Sequence, residues 1–421
     1  MPPGRHSTER HTDVVTTSEQ SRAGLPVEPP APARRMRPTL TPRGRAVLRA
    51  LALVVALVVL LTAWSLGRAL TAPGTDSASA RLAEWARNHG LGPLVTAAET
   101  VQYRLHPPKV GGAPDLRVLD GQRAAPPALT SHQGSGAGAS PSATAVPVHA
   151  PLAPMVSHAL RGEGVFRTVA TVHGQPAEQV AYLRPDSTHT SYLAGVAWLS
   201  GSLIRLVQHP GYLDPGSHSY WTQPDRLPAS ERTGLIATFN SGFRLRDSRG
   251  GYYADGHTVG TLTRGAASLV VYRDGRADIG SWGSEVHRGP DVVSVRQNLQ
   301  LLIDGGRVAP HLSQHVLTHW GGTVGAAYYV WRSGVGVTAS GDLVYVAGDA
   351  LSVRSLASLL KDAGAVRAME LDINPEWVSY MWYSPRAGRG SPTPHKLAAF
   401  VRPAHRYYSA SSRDFFAVYG R

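Results

Sequence analysis

The 421-residue chain contains no cysteine. That excludes disulfides, thiolate metal sites, iron–sulfur centres and a cysteine nucleophile. Lysine is nearly absent too. Lys109, Lys361 and Lys396 are the only three, and arginine supplies the rest of a formal net charge of +13. With abundant Ala, Gly and Pro, this reads as compositional bias more than as a signature of nucleic-acid binding. The C-terminal half has no block of Arg interleaved with aromatics, so no nucleic-acid partner is expected. Basic side chains could still serve an anionic substrate or wall polymer. There is no G-x-S-x-G elbow, no Walker A loop and no strand–GxGxxG–helix unit. Serine-hydrolase, nucleotide-triphosphatase and nicotinamide chemistry lack support, and no cofactor is expected.

Residues 1–45 are rich in Pro, Arg, Ser and Thr, which predicts a disordered tail. Residues 46–67 follow, with an uncharged run from Ala50 to Gly67. At ~1.5 Å per residue this suffices for a ~30 Å hydrocarbon core. Arginines 34, 35, 37, 43, 45 and 49 precede it, so a single-pass signal-anchor is expected, N-terminus cytoplasmic and the remainder extracytoplasmic. A cleaved signal peptide is the alternative. Residues 76–106 predict a juxtamembrane helical segment broken near Gly90–Pro93. Residues 107–155 read as a Pro/Gly/Ala/Ser-rich linker. The folded domain is placed at 156–421.

Short strand-like runs dominate that domain, among them Leu203–Gln208, Gly234–Asn240, Ser268–Tyr272, Gly334–Thr338 and Leu343–Ala347. Arg273-Asp274-Gly275-Arg276 and Ala339-Ser340-Gly341-Asp342 predict hairpin turns. One long amphipathic helix is predicted, Ser352–Ala363, with Gly364 at its C-cap. The fold class is therefore α+β: a β-rich mixed-sheet domain with one prominent helix, preceded by a transmembrane helix and a disordered linker.

Several stretches could carry chemistry. In Val366–Trp377, Glu370, Asp372 and Asn374 alternate with Met369, Leu371 and Ile373. On a strand this puts both carboxylates on one face, and Pro375 ends the pairing. The pair is either an active-site feature or a solvated face. Asn240-Ser241-Gly242, with Asp255-Gly256 beyond it, is either a ligand-approaching turn or a hairpin tip. Arg332 lies in an apolar strand and needs an anion, a substrate phosphate or an internal carboxylate such as Asp349 or Asp372. Asp304 in a Gly-Gly turn is a weaker polar candidate. His311, His315 and His319, four residues apart, invite a metal reading, although no H-E-x-x-H signature accompanies them.

Together these residues resemble the phosphodiester glycosidase family, which includes an enzyme that removes N-acetylglucosamine from a sugar-1-phosphodiester and many bacterial domains of unknown role. The resemblance rests on an ordered set: A-T-F-N-S-G-F with a following D-G, L-L-I-D-G-G, W-R-S-G-V-G-V, and D-L-V-Y-V-A-G-D-A-L-S running through a helix to G-A-V-R-A-M-E-L-D. It spans about residues 234–380. It implies a hydrolase of a sugar phosphodiester or related cell-envelope glycan. Asp372, with Glu370, would act as the catalytic carboxylates, Arg332 would bind phosphate, and Asn240, Asp255, Asp304 and Asn374 would bind substrate. The family's Gly-rich turn after Leu-Asp is replaced here by Ile373-Asn374-Pro375-Glu376-Trp377. Two other readings therefore stay open: a non-catalytic module binding envelope glycan or anionic wall polymer, with Trp377, Tyr380, Trp382 and Tyr383 as stacking surfaces, and a metal-dependent phosphodiesterase.

Overall fold

The computed structural model describes residues 41–116, 149–310, 312, 320, 328–386 and 390–421. His311, His315 and His319 lie outside these residues, as do the first forty residues and most of the linker. The chain divides into two compact units, Met1–Leu61 and Thr62–Arg421.

Helix α1 (Pro42–Leu70) is long and apolar enough to cross a membrane. It starts four residues before the expected Ala46. Thr41 Oγ1 accepts from the Gly44 amide at 3.2 Å, and Pro42 opens the first turn, where its missing N–H costs nothing. In the second unit, α2 (Ala78–Asn88) is capped by Ser77, which accepts from the Ala80 amide at 3.0 Å. Helix α3 (Gly92–Leu105) follows Leu91, with Pro93 in its first turn. The packed chain resumes before residue 156: His149 N–H donates to Gln179 Oε1 at 2.8 Å, and Leu152 is buried.

Three sheets build the domain, and every strand ladder described is antiparallel. The eight-stranded sheet comprises β1 (Arg167–Val172), β2 (Gln175–Leu183), β3 (Ala194–Leu199), β11 (Leu301–Asp304), β12 (Arg307–Val308), β13 (Val330–Thr338), β14 (Leu343–Leu351) and β15 (Ala365–Glu370). Their order is β1-β2-β3-β14-β13-β15-β11-β12. A second sheet runs β7 (His257–Val259), β6 (Tyr252–Ala254), β10 (Val292–Gln297), β8 (Ala267–Tyr272), β9 (Ala277–Ser281). The third runs β17 (Thr393–Lys396), β16 (Tyr380–Ser384), β5 (Leu235–Asn240), β18 (Phe415–Gly420), β4 (Ile204–His209).

The large sheet separates two cores. One is shared with the other two sheets through Val335, Tyr345, Met369, Phe239, Tyr380, Phe416 and Leu269. The other lies under the predicted helix, now α4 (Val353–Asp362), through Leu356, Leu359, Leu360 and Ala368. Helix α4 starts with a capping box: Ser352 Oγ accepts from the Ser355 amide and Ser355 Oγ from the Ser352 amide. It ends at Gly364, whose φ of +96° suits glycine. The expected hairpins form between β8 and β9 and between β13 and β14.

The β15 segment is buried on both faces. Met369 and Leu371 belong to the inter-sheet core, and Ala368 to the core under α4. Glu370 and Asp372 are buried as well, so they do not form a solvated face. Any charge there must be met from inside the protein.

Candidate active site

Regular strand pairing ends at Glu370, but the backbone bonds continue to Asp372. Leu371 N–H donates to Ser333 O at 2.8 Å, and Ser333 N–H to Asp372 O at 2.9 Å. Asp372 Oδ1 then accepts from the Asn374 amide at 2.9 Å, and Asn374 Oδ1 from the Glu376 amide at 2.9 Å. These Asx-type contacts build the turn after Asp372. Asn374 is thus spent on the turn.

Asp372 is 3% exposed. Burial raises its carboxyl to about 6, against the pull of Arg413, two backbone donors and Arg296. A carboxyl titrating there can carry a proton in either direction near neutral pH. Arg413 and Arg296 are close enough to act on it, and two further arginines contact the turn that follows. Arg296 Nε donates to Asp414 Oδ2 at 2.7 Å, with both side chains buried. Arg413 lies over the Trp377 ring at 4.8 Å. Arg406 donates to Trp377 O at 3.2 Å. Arg402 pairs with Glu376 and, more closely, with Asp76.

Segment Pro73–Asn88 lies on this face. Asp76 meets Arg402 and the Ser412 hydroxyl. Ser77 Oγ donates to Glu376 Oε1 at 2.9 Å. Glu84, 5% exposed, pairs with Arg244 and accepts from Arg413 Nη2 at 2.9 Å. Burial, then the neighbouring charge of Arg413, pulls Arg244 below the usual guanidinium range. Such a pair calls for an anion, and the Glu84 carboxylate supplies one. Arg413 Nε and Nη1 still make no hydrogen bond among the described residues.

The other expected residues fall elsewhere. Arg332 has no exposed side-chain surface, and its Nη1 donates to Glu370 Oε1 at 2.6 Å. Nε and Nη2 go to Leu351 O and Tyr328 O. This arginine has an internal carboxylate, so the expected phosphate role is corrected: a guanidinium enclosed in the core meets no substrate. The partner is Glu370, not Asp349 or Asp372. Burial raises Glu370 to about 7 although Arg332 opposes it. Enclosed with Arg332, Glu370 is likewise removed from direct catalysis.

Asn240 is saturated. Its Oδ1 accepts from Tyr345 OH at 2.8 Å and the Ser379 amide at 3.0 Å, and its Nδ2 donates to Ser333 Oγ at 3.0 Å. It positions Ser333, whose hydroxyl donates to Asp372 O at 3.0 Å. Asp255 is exposed and holds Thr222 through its amide at 2.9 Å and hydroxyl at 2.7 Å. Asp304 is exposed beside the β11–β12 turn. Trp377, Tyr380 and Tyr383 are buried, so they serve the core and not a stacking surface.

The strand, turn and buried aspartate carry the motif order described above, and a sequence-family comparison agrees with it. Residues 233–372 match the phosphodiester glycosidase family. The domain is a divergent member of that family. No curated protein sequence matches the chain. Among solved structures, similarity extends to the zebrafish N-acetylglucosamine-1-phosphodiester alpha-N-acetylglucosaminidase catalytic domain auto-inhibited by pro-peptide. Identity is 14%, with 61% of this chain and 88% of that chain covered and a TM-score of 0.38. A hypothetical protein from Synechocystis shares 14% identity over 61% of this chain and 65% of that one, at TM-score 0.31. A putative exported protein from Burkholderia pseudomallei shares 13% over 54% and 74%, at 0.32.

Sequence reasoning missed Arg244, Arg296, Arg413, Asp414 and Glu84. Nothing in their local pattern separates them from the other charged residues. Asn298 was also missed. Its Nδ2 donates to Glu370 O and Leu371 O, both at 2.8 Å, and its Oδ1 accepts from the Phe243 amide at 3.1 Å. It staples the Asn-Ser-Gly-Phe turn to the Asp372 strand.

Proposed function

We propose that this phosphodiester glycosidase domain hydrolyses a sugar-1-phosphodiester or related glycan of the cell envelope, held outside the membrane by α1. The observation that carries the reading is the buried Asp372 carboxyl beside Arg413, where Glu84 already seats an anion on Arg244 and Arg413. A substrate phosphate would take the place of the Glu84 carboxylate. Arg244 and Arg413 replace Arg332 as the phosphate-binding pair, and a guanidinium fork suits phosphate oxygens.

In this reading water attacks the anomeric carbon. Its proton passes to the Asp372 carboxylate, and the anomeric C–O bond breaks with its electron pair leaving on the phosphate oxygen. The products are the free sugar and a phosphate monoester, whose second ionisation lies near pH ~6. Such a leaving group needs no protonation to depart, so one carboxylate base suffices. Developing negative charge on the phosphate falls on the two arginines.

The base role fixes a pH dependence. Asp372 is raised to about 6 and is active when ionised. kcat/KM should therefore rise through about pH 6 and level off above it. A profile that falls through that region would assign Asp372 as an acid and overturn the step.

Segment Pro73–Asn88 then occupies its own domain's anion site. An occupant that competes with substrate lowers apparent affinity by the fraction of time it is seated. Glu84→Gln in the full-length protein should lower KM by about tenfold with little change in kcat, a shift worth ~1.4 kcal/mol. Steady-state kinetics checks this. An unchanged KM, or lost thermal stability with no gain in affinity, would make Glu84 a structural staple.

A further inference from the structure

We propose that the exposed face of α3 lies in the interface of the same bilayer that α1 crosses, so that the α2–α3 hairpin gives the domain a second contact with the membrane. The proposal rests on the reading of α1 as a membrane anchor.

The face itself comes from the sequence of α3. Leu94, Ala98, Val101 and Leu105 fall at i, i+4, i+7 and i+11, which is one side of a helix. Leu94, Val101 and Leu105 are 66%, 55% and 70% exposed, and Leu91, just before the helix, is exposed too. The side turned to α2 carries an ion pair instead, Glu99 to Arg87 at 2.6 Å. A water-soluble helix does the reverse, turning its apolar stripe inward and its charges outward. Exposed apolar side chains are ordinary one at a time, but a continuous stripe marks contact with another surface.

The position of α3 identifies that surface. The uncharged run of α1 ends at Gly67, and the Arg68 guanidinium lies 5.0 Å from the Trp64 ring centroid. A tryptophan and a snorkelling arginine are the side chains that favour the edge of a bilayer. Helix α2 comes back along this end of α1. Arg81 donates to Leu70 O and Gly74 O. One turn later, Trp85 Nε1 donates to Ser65 Oγ at 3.0 Å. His89, stacked on Trp85, has its Nε2 3.3 Å from the same oxygen. The contacts thus step from residue 70 back to residue 65, inside the uncharged run. All of these residues belong to one compact unit. The end of α2 is carried to the level of Trp64, and Gly90, at φ +81°, turns the chain there into Leu91 and α3. An apolar stripe that starts at this level meets lipid, and a helix lying in the interface with its apolar face toward the acyl chains is a stable arrangement. Glu84, seated on Arg244 and Arg413, directly precedes Trp85, so the contact also places that seat beside the bilayer.

The chain has no cysteine, so single-cysteine variants can be labelled at one place each. Full-length Leu94→Cys, Val101→Cys, Leu105→Cys, Thr96→Cys and Leu57→Cys, each carrying an NBD fluorophore, are reconstituted in phosphatidylcholine–phosphatidylglycerol vesicles. Part of the lipid bears a doxyl quencher, either near the headgroup or at the chain end. Leu57 lies within α1, and Thr96 is exposed on another side of α3. Emission at Leu94, Val101 and Leu105 is expected to fall with the headgroup-proximal quencher and emission at Leu57 with the chain-end quencher. Thr96 should respond to neither and to aqueous iodide alone. If Leu57 responds to lipid while the three α3 positions respond only to iodide, the face stands in water and the proposal is overturned with the anchor intact. If those positions are shielded from iodide and from both lipid quenchers, a second copy or another part of this chain covers the face, and the proposal is again overturned. If Leu57 shows no lipid quenching, the anchor itself fails and the proposal falls with it.

Discussion

Asp372→Asn is expected to lower kcat/KM for sugar release by about 10²–10⁴-fold, the usual worth of a positioned proton-transfer group. The fold should hold. The carboxyl titrates at about 6, so its uncharged form is already well populated in the native protein under mildly acidic conditions. Asn also keeps the oxygen that accepts the Asn374 amide. Melting temperature should thus move little while turnover collapses. Equal activity in the variant would remove Asp372 from the chemistry.

The second large effect is on stability. Arg332→Leu leaves Glu370 buried with neither oxygen bonded, since Oε2 already lacks a partner among the described residues. Removing one member of a buried pair costs about 3–5 kcal/mol. The Tyr328 and Leu351 carbonyls lose a donor as well. Arg332→Leu combined with Glu370→Leu should recover much of that loss, because no uncompensated charge remains. Thermal unfolding of the single and double variants measures this. If the single change is neutral, the pair is not holding β13 against β15. The pH dependence has a definite sign. Glu370 is raised from its ordinary 4.5 to about 7. Its contribution is complete below about pH 4.5 and is lost as pH rises through about 7.

How much could be read beforehand depended on the range of the physics. The Ser352–Ala363 helix, its C-cap Gly364, the Arg273–Arg276 hairpin and the strand before Asp372 are local, and all of them formed. The motif order singled out Asp372 for the same reason. Arg332 shows the limit. Its need for an anion was legible, but which anion depends on the pairing of Gly334 with Glu370, a register no local pattern states. The resemblance groups Asp255 with Asp372, because its Asp-Gly follows the Asn-Ser-Gly turn. The β6–β7 hairpin instead turns it toward Thr222. Arg244, Arg296 and Arg413 were hidden by abundance, since 42 Lys and Arg residues make no single arginine conspicuous. Glu84 lay in a helix that offered no chemistry by itself. Its role emerges only once α2 sits over two arginines from distant parts of the chain.

The most direct test is hydrolysis of an N-acetylglucosamine-1-phosphodiester by the full-length Glu84→Gln protein in heavy-oxygen water. Attack at the anomeric carbon predicts that the label appears in the released sugar and that the phosphate monoester carries none. Label in the phosphate would mean cleavage at phosphorus, and it would contradict the assignment of Asp372, Arg244 and Arg413 as a glycosidase site.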